Sequence, residues 1–498
     1  MTSLQSKTIK GVAALSVGKG AGRVISFANT ILLARILSPD DYGLMAMAMV
    51  VSGFIAFFNE VGLGSAIIQR KEVTKDQLNG AFSIAVSLSI MLYGISYMIS
   101  ASVGEFYGNQ EIGDMLVVLA SSFVIGSFSM VSSALISKHL QFKALAGIEF
   151  VIIITQAALT LVLALNGYKA WALVYGFVIS QLLKAIFVIL VAKWRPSKFG
   201  CFKAAMELIK FGLTVTYAKL TWYAYGNAAT FIIGKFSGEK SLGIYSMANT
   251  LAGLPTEHIT SLIGQVSAPV FSKLQDDFKA LNKMLCGFTA GIALLTFPLL
   301  AGLASTATEL VPLLLGEQWL AVIFPMQALA VMGLFRSISP LLGHALISTG
   351  QVKINAYYTT LCAVVVPTMV LIGVYWRGIE GVALMMPITY GGLISILLLL
   401  CKKHIQLSLR QYCQPLITPL TGSLMVSLGV YTVKLFCAPY LTIVPLLLIE
   451  IIIGVAIYFI WLVYVRTDGL LQLNNILQKL GVNQNRLKAW PFGRLNNL

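Results

Sequence analysis

Several ionisable side chains of this 498-residue chain stand inside long apolar runs, where their charge has to be put to use or neutralised. Lys19 and Arg23 are four positions apart, so on a helix they share one face. Two cations so placed repel each other unless an anion sits between them, and a phosphate or pyrophosphate is the anion that an arginine fork grips best. The alternative for Lys19 is a stem lying in the membrane with its ammonium at the interface. Lys219 is surrounded by Thr214, Tyr217, Thr221, Tyr223, Tyr225 and Asn227. That set suits sugar stacking and hydrogen bonding, or equally an aromatic belt at the membrane surface. Arg336 lies in Gly333-Leu-Phe-Arg-Ser-Ile-Ser-Pro340. The proline frees backbone carbonyls, so Arg336 either caps them or lines a cavity as a cation. Lys184 reads as a residue that snorkels from the inner half of its span. Three acids join these cations: Glu60, Glu149 and Glu257. Each is expected either to carry a coupling ion or proton, or to pair with Lys19, Arg23 or Lys219.

Other chemistries leave no trace. There is no Walker sequence, no HExxH and no GxSxG, so neither ATP-driven nor hydrolytic chemistry is expected and the chain does not read as an enzyme. The four histidines, at 139, 258, 344 and 404, do not cluster. The six cysteines form no CxxC pair, so no metal, disulfide or cofactor is expected.

The elements that must position these charges are helices in a bilayer. Only 11% of the residues are charged, against roughly 25% in a soluble domain. The apolar residues gather into runs long enough to span, for which about 20 residues are needed. Fourteen spans are expected, near 12–35, 42–64, 79–101, 114–136, 146–166, 170–192, 211–234, 242–270, 284–305, 320–347, 354–376, 380–400, 413–436 and 440–464. The fold class is therefore an all-α integral membrane protein. Its net charge of +16 would suggest nucleic acid in a soluble protein. Here the basic residues sit in loops on one side, which argues for membrane topology and against nucleic acid. With the N-terminus inside, only Arg35, Lys169, Lys235, Lys240, Arg377 and Lys434 fall in outer loops. Lys19, Arg23, Lys184, Lys219 and Arg336 fall within spans. Both termini are thus expected in the cytoplasm, and no cleavable signal peptide is evident.

The chain repeats itself. Leu33-Ala-Arg-Ile-Leu-Ser-Pro-Asp-Asp-Tyr-Gly43, with Met47-Ala48, returns 200 positions later as Ile233-Gly-Lys-Phe-Ser-Gly-Glu-Lys-Ser-Leu-Gly243, with Met247-Ala248. Gly64 and Gly264 coincide as well, and Glu60 and Glu257 nearly do. Six intervening spans start both copies on the same side, so they are parallel repeats. The expected organisation is an N-terminal six-helix bundle (1–192), an amphipathic linker (193–210), a second six-helix bundle (211–401) and two added helices (402–466). A tail follows (467–498), with Leu470, Leu471, Leu473, Ile476, Leu477 and Leu480 at helical spacing. It reads as an amphipathic helix on the inner leaflet or as a solvated tail.

Several short motifs resemble one family: Leu33-Ala-Arg35 with Asp41-Tyr-Gly43, Ala66-Ile-Ile-Gln-Arg-Lys-Glu72, Val270-Phe-Ser-Lys-Leu-Gln-Asp-Asp277, Leu315-Gly-Glu-Gln-Trp319 and Gly333-Leu-Phe-Arg-Ser337. In that order they resemble the polysaccharide exporters of the multidrug/oligosaccharidyl-lipid/polysaccharide (MOP) superfamily, of the colanic-acid and teichuronic-acid type. The resemblance implies two bundles around a cavity in the bacterial cytoplasmic membrane. It implies alternating access and, as partner, an oligosaccharide linked to undecaprenyl pyrophosphate, exported for surface lipopolysaccharide or exopolysaccharide. Membrane lipid, a glycan polymerase and other polysaccharide assembly proteins are further partners it suggests. The competing readings are a membrane glycan polymerase or ligase, a multidrug exporter and a cell-wall-precursor exporter. Short outer loops count against the polymerase, and a cavity lined by Lys19, Arg23, Lys219 and Arg336 would repel cationic drugs.

Overall fold

The computed structural model describes residues 22–60, 62–200, 202, 206 and 223–465, and these are helices joined by short turns. Helix α1 covers 22–36. It is followed by α2 (Pro39–Glu60), α3 (Leu63–Gln69), α4 (Lys75–Tyr107), α5 (Gln110–Lys138), α6 (Phe142–Leu165) and α7 (Ala170–Ala192). After the linker come α8 (Ala228–Lys273), α9 (Phe278–Ser305), α10 (Ala307–Leu314), a 3₁₀ turn (Glu317–Val322) and α11 (Ile323–Ser348). The series ends with α12 (Val352–Ile405), α13 (Leu409–Cys437) and α14 (Ile443–Val465).

Ten of the described helical segments are long and apolar enough to cross a bilayer. The 54 residues of α12 are two helices joined at Arg377–Gly378, where the backbone leaves helical geometry. A 30 Å hydrocarbon core needs about 20 helical residues, so one such element is long enough for two passes. Likewise α8 breaks at Gly238, whose φ of 78° is open to glycine and costly for other residues. Both breaks fall where the sequence places a loop between spans.

Two short elements escape the hydropathy reading. The stretch 65–78 looks like a long connection, yet α3 occupies its start and buries Leu63, Ala66 and Ile67 against Leu78, Phe82 and Val131. The connection near Glu309 likewise holds α10. Seven or eight residues are too few to show a period in sequence, and packing rather than propensity makes such helices.

The chain folds into two compact units, Met1–Ser246 and Met247–Leu498, and the division falls within α8. In the first unit, α4, α5 and α7 enclose small buried hydroxyls that bond back to their own helix or across it, such as Ser89 Oγ to Ser127 Oγ at 3.1 Å. Small residues let membrane helices approach closely. Asn79 of α4 holds the start of the linker, donating to Ser197 Oγ at 2.9 Å and accepting from its N–H at 3.1 Å. The second unit has a continuous core of Phe271, Leu285, Phe288, Leu341, Leu397 and Tyr412. The tail from residue 466 onward, including its expected amphipathic helix, lies outside the described residues.

Candidate functional site

The repeated turn is a structural device. Ser38 and Asp41 close the start of α2: Asp41 Oδ2 accepts from the Ser38 N–H at 2.8 Å and from its hydroxyl at 2.7 Å. The other carboxyl oxygen accepts the N–H of Ala170, the first residue of α7, at 3.0 Å. A buried carboxylate is sustained there by three donors and by the positive end of a helix. Two residues on, Gly43 lies against the backbone of Glu239, and a Cβ would overlap its carbonyl oxygen. Its repeat partner Gly243 lies against the carbonyl of Pro39 in the same way. Pro39 and Glu239 are themselves 200 positions apart, so the two copies of the turn pack reciprocally. Asn109 Nδ2 donates to Glu239 Oε2 at 3.1 Å, and the Lys235 ammonium bonds the Phe106 carbonyl and lies 4.4 Å from the centre of its ring.

The polar aromatics around helix position 223 also pack. The Tyr223 hydroxyl donates to the Val50 carbonyl at 2.9 Å, and its ring sits 4.8 Å from that of Phe57. Its hydroxyl and its ring are thus both engaged in packing.

Among the described residues, two of the intramembrane charges singled out in the sequence meet, Arg336 and Glu257. Arg336 of α11 donates to Glu257 Oε1 of α8 at 3.3 Å. Sequence reasoning offers Glu257 partners in Lys19, Arg23 and Lys219; its partner is Arg336 of its own unit. Both side chains remain open, with 34% of the arginine and 60% of the glutamate exposed. The helices that carry them run alongside. One turn further Thr260 donates to the Ser337 carbonyl at 3.0 Å, and Ser267 Oγ lies 3.4 Å from His344 Nδ1. Each helix has a proline next to the pair, Pro255 in α8 and Pro340 in α11. Pro340 has no N–H to offer the carbonyl of Arg336, four residues back, so the helix is locally unsealed where the charge stands. Gly253 leaves room beside the Glu257 carboxyl, 3.3 Å from a would-be Cβ. Tyr390 of α12 lies within the field of Arg336. The arrangement is an exposed guanidinium with donors to spare, balanced by one carboxylate that an anionic ligand could displace.

The remaining sites are scattered. Arg23 is exposed on α1, beside Gly22, which packs against Ile153 of α6. Glu149 lies one turn before Ile153 on the same face and is half-buried. Lys184 is exposed on α7. Glu60 closes α2, and its side chain, with Lys19 and Lys219 entirely, lies outside the described residues. Sequence reasoning missed Glu450, buried in α14, and did not pair Glu309 with Lys434, which stand 2.8 Å apart. Glu450 carries a signal that could have been read: it is the only charged residue of the last span.

Comparisons with known proteins agree with this architecture. Residues 32–324 match the model of the family described as "Polysaccharide biosynthesis protein". The lipopolysaccharide biosynthesis protein WzxC of Escherichia coli K12 is 24% identical over 77% of this chain and 78% of its own. The teichuronic acid biosynthesis protein TuaB of Bacillus subtilis is 25% identical over 72% of this chain and 74% of its own. Among solved structures, the lipid II flippase MurJ in an inward closed conformation superimposes with a TM-score of 0.73 at 16% identity, covering 91% of this chain and 98% of that one. Fold, repeat and motifs together make this multi-pass membrane protein, with the helical fold of the MOP transporters, a member of the polysaccharide biosynthesis protein family.

Proposed function

We propose that the chain is a flippase that moves lipid-linked oligosaccharide, carried on a polyprenyl pyrophosphate, across the bacterial cytoplasmic membrane by alternating access. The observation that carries this reading is the open Arg336–Glu257 pair on two helices that each hold a proline beside it, in a chain of the polysaccharide biosynthesis family. The chain is a transporter and not an enzyme. A pyrophosphate offers Arg336 more negative charge and more acceptor oxygens than the single carboxylate oxygen it now meets. Glu257 then keeps the empty site neutral and stops the cation from holding any passing anion. Arg23 and Lys19 of the N-terminal bundle and Lys219 of the second supply further positive charge, with Glu60 and Glu149 as counter-charges or coupling groups. The polyprenyl tail stays in lipid.

The topology proposed with it has fourteen spans. The N-terminal bundle is 1–192 and the second 211–401. Helices 13 and 14 follow within 402–466, and both termini face the cytoplasm, where the basic loops collect. A glycan polymerase and other assembly proteins would receive the exported unit.

The test is export itself. Cells carrying Arg336→Ala, Arg23→Ala or both should lose surface glycan and accumulate lipid-linked oligosaccharide in the inner leaflet, with protein levels in the membrane unchanged. Normal export by the double variant would refute the anion site.

A further inference from the structure

Glu450 interrupts the most apolar helix among the described residues and is its only charged residue. Its side chain is wholly buried within the protein, and neither carboxyl oxygen meets a hydrogen-bond donor. A carboxylate charge in that position would forgo water and every donor at once, which membrane and protein interiors both penalise heavily.

The charged groups that face it are Glu309 of α10 and Lys434 of α13. These are already committed to each other. The Lys434 ammonium lies 2.8 Å from Glu309 Oε2, 3.0 Å from the Ser305 carbonyl and 2.6 Å from Thr308 Oγ1. An ammonium has three donors, and all three are used, so Lys434 has none left for Glu450. The Thr308 hydroxyl in turn donates to Glu309 at 2.8 Å. The third helix packed on α14 is α9, whose own charges, Lys279 and Lys283, stand in its first two turns, at the opposite end from Ser305. With both acids ionised the cluster would carry one uncompensated negative charge. No group of three His, Cys, Asp or Glu side chains that could hold a metal ion exists among the described residues. A proton requires only the carboxyl itself.

We propose that Glu450 is a proton-binding site inside the membrane, neutral while Glu309 holds Lys434, and a rival acceptor for Lys434 once its proton leaves. On release the O–H bond breaks, the electron pair stays on the Glu450 carboxylate, and the proton passes to water along the partly exposed Lys434 side chain. The ammonium is then shared between two carboxylates on different helices. Lys434 therefore ties α13 to α10 in one protonation state and draws it toward α14 in the other. This site lies in the second unit's added helices and does not depend on which substrate is carried.

Infrared spectra of the full-length protein in lipid nanodiscs at neutral pH provide the test. The wild type should show the carbonyl band of a protonated, water-shielded carboxyl, shifted in D₂O, and Glu450→Gln should lack it. Identical spectra for the two would overturn the proposal. A second variant makes the result independent of how Glu450→Gln folds. In Glu309→Gln, Lys434 loses its carboxylate acceptor and turns to Glu450, so the band should fall by at least half. An undiminished band there would overturn the rivalry between the two acids.

Discussion

Gly43 and Gly243 each stand against the backbone that leads into the other's helix, Gly43 on Glu239 and Gly243 on Pro39. The reciprocity turns a weak likeness in sequence into a physical contact between two copies of one turn. A side chain at either place would have to push backbone aside, which a packed membrane helix resists.

Gly43→Ala and Gly243→Ala should therefore each destabilise the protein by about 1–3 kcal/mol, the usual cost of overpacking. Gly64 has open space where its Cβ would stand, and Gly64→Ala should leave stability unchanged or raise it slightly. Thermal unfolding in detergent, followed by size-exclusion chromatography, ranks the three; equal behaviour would remove the reciprocal contact from the account.

Asp41 is the residue that joins this turn to α7. Asp41→Ala leaves the buried Ala170 N–H without an acceptor and removes the carboxylate that holds Ser38 at the start of α2, at a cost of about 2–3 kcal/mol. Asp41→Asn keeps one carbonyl acceptor and should cost roughly half as much. The readout is again thermal stability, with export at permissive temperature retained.

The Arg336–Glu257 pair should behave in the opposite way. The pair is a single 3.3 Å contact between partly exposed side chains, so removing it should leave folding intact. Arg336→Ala should cut export about tenfold or more while membrane levels stay constant, a loss of ~1.4 kcal/mol or more in the transported state. Arg336→Lys keeps the charge but loses the fork, and should fall between the two. Surface glycan per molecule of transporter is the quantity to measure.

Tyr223→Phe removes one hydroxyl from the Val50 carbonyl and keeps the ring against Phe57. It should cost about 1 kcal/mol of stability and leave export intact. A loss of export without a loss of stability would return Tyr223 to the sugar-contacting role.

The spans were legible because bilayer thickness imposes a length on every apolar run. The edges of α6, α7, α9, α13 and α14 lie within a few residues of where hydropathy puts them. The breaks at Gly238 and at Arg377–Gly378 were legible for the same reason, since polar turn residues interrupt the runs there. The short helices α3 and α10 were not, because their amphipathic pattern is shorter than the window in which a helical period shows.

Residue type alone marked Arg336 and Glu257 as charges that a membrane helix must accommodate. It did not say that they were partners, since the two stand 79 positions apart on helices whose packing the sequence does not state. Nor did it disclose that Asp41, Gly43 and Tyr223 serve packing, or that Lys434 spends all its donors on α9 and α10 and leaves Glu450 alone. Hydropathy and charge asymmetry are properties summed along the chain; they determined the membrane class and several of the intramembrane charges, and matched turn residues disclosed the repeat. Which charge meets which depends on helix rotation and neighbour choice, and only the tertiary structure decided that.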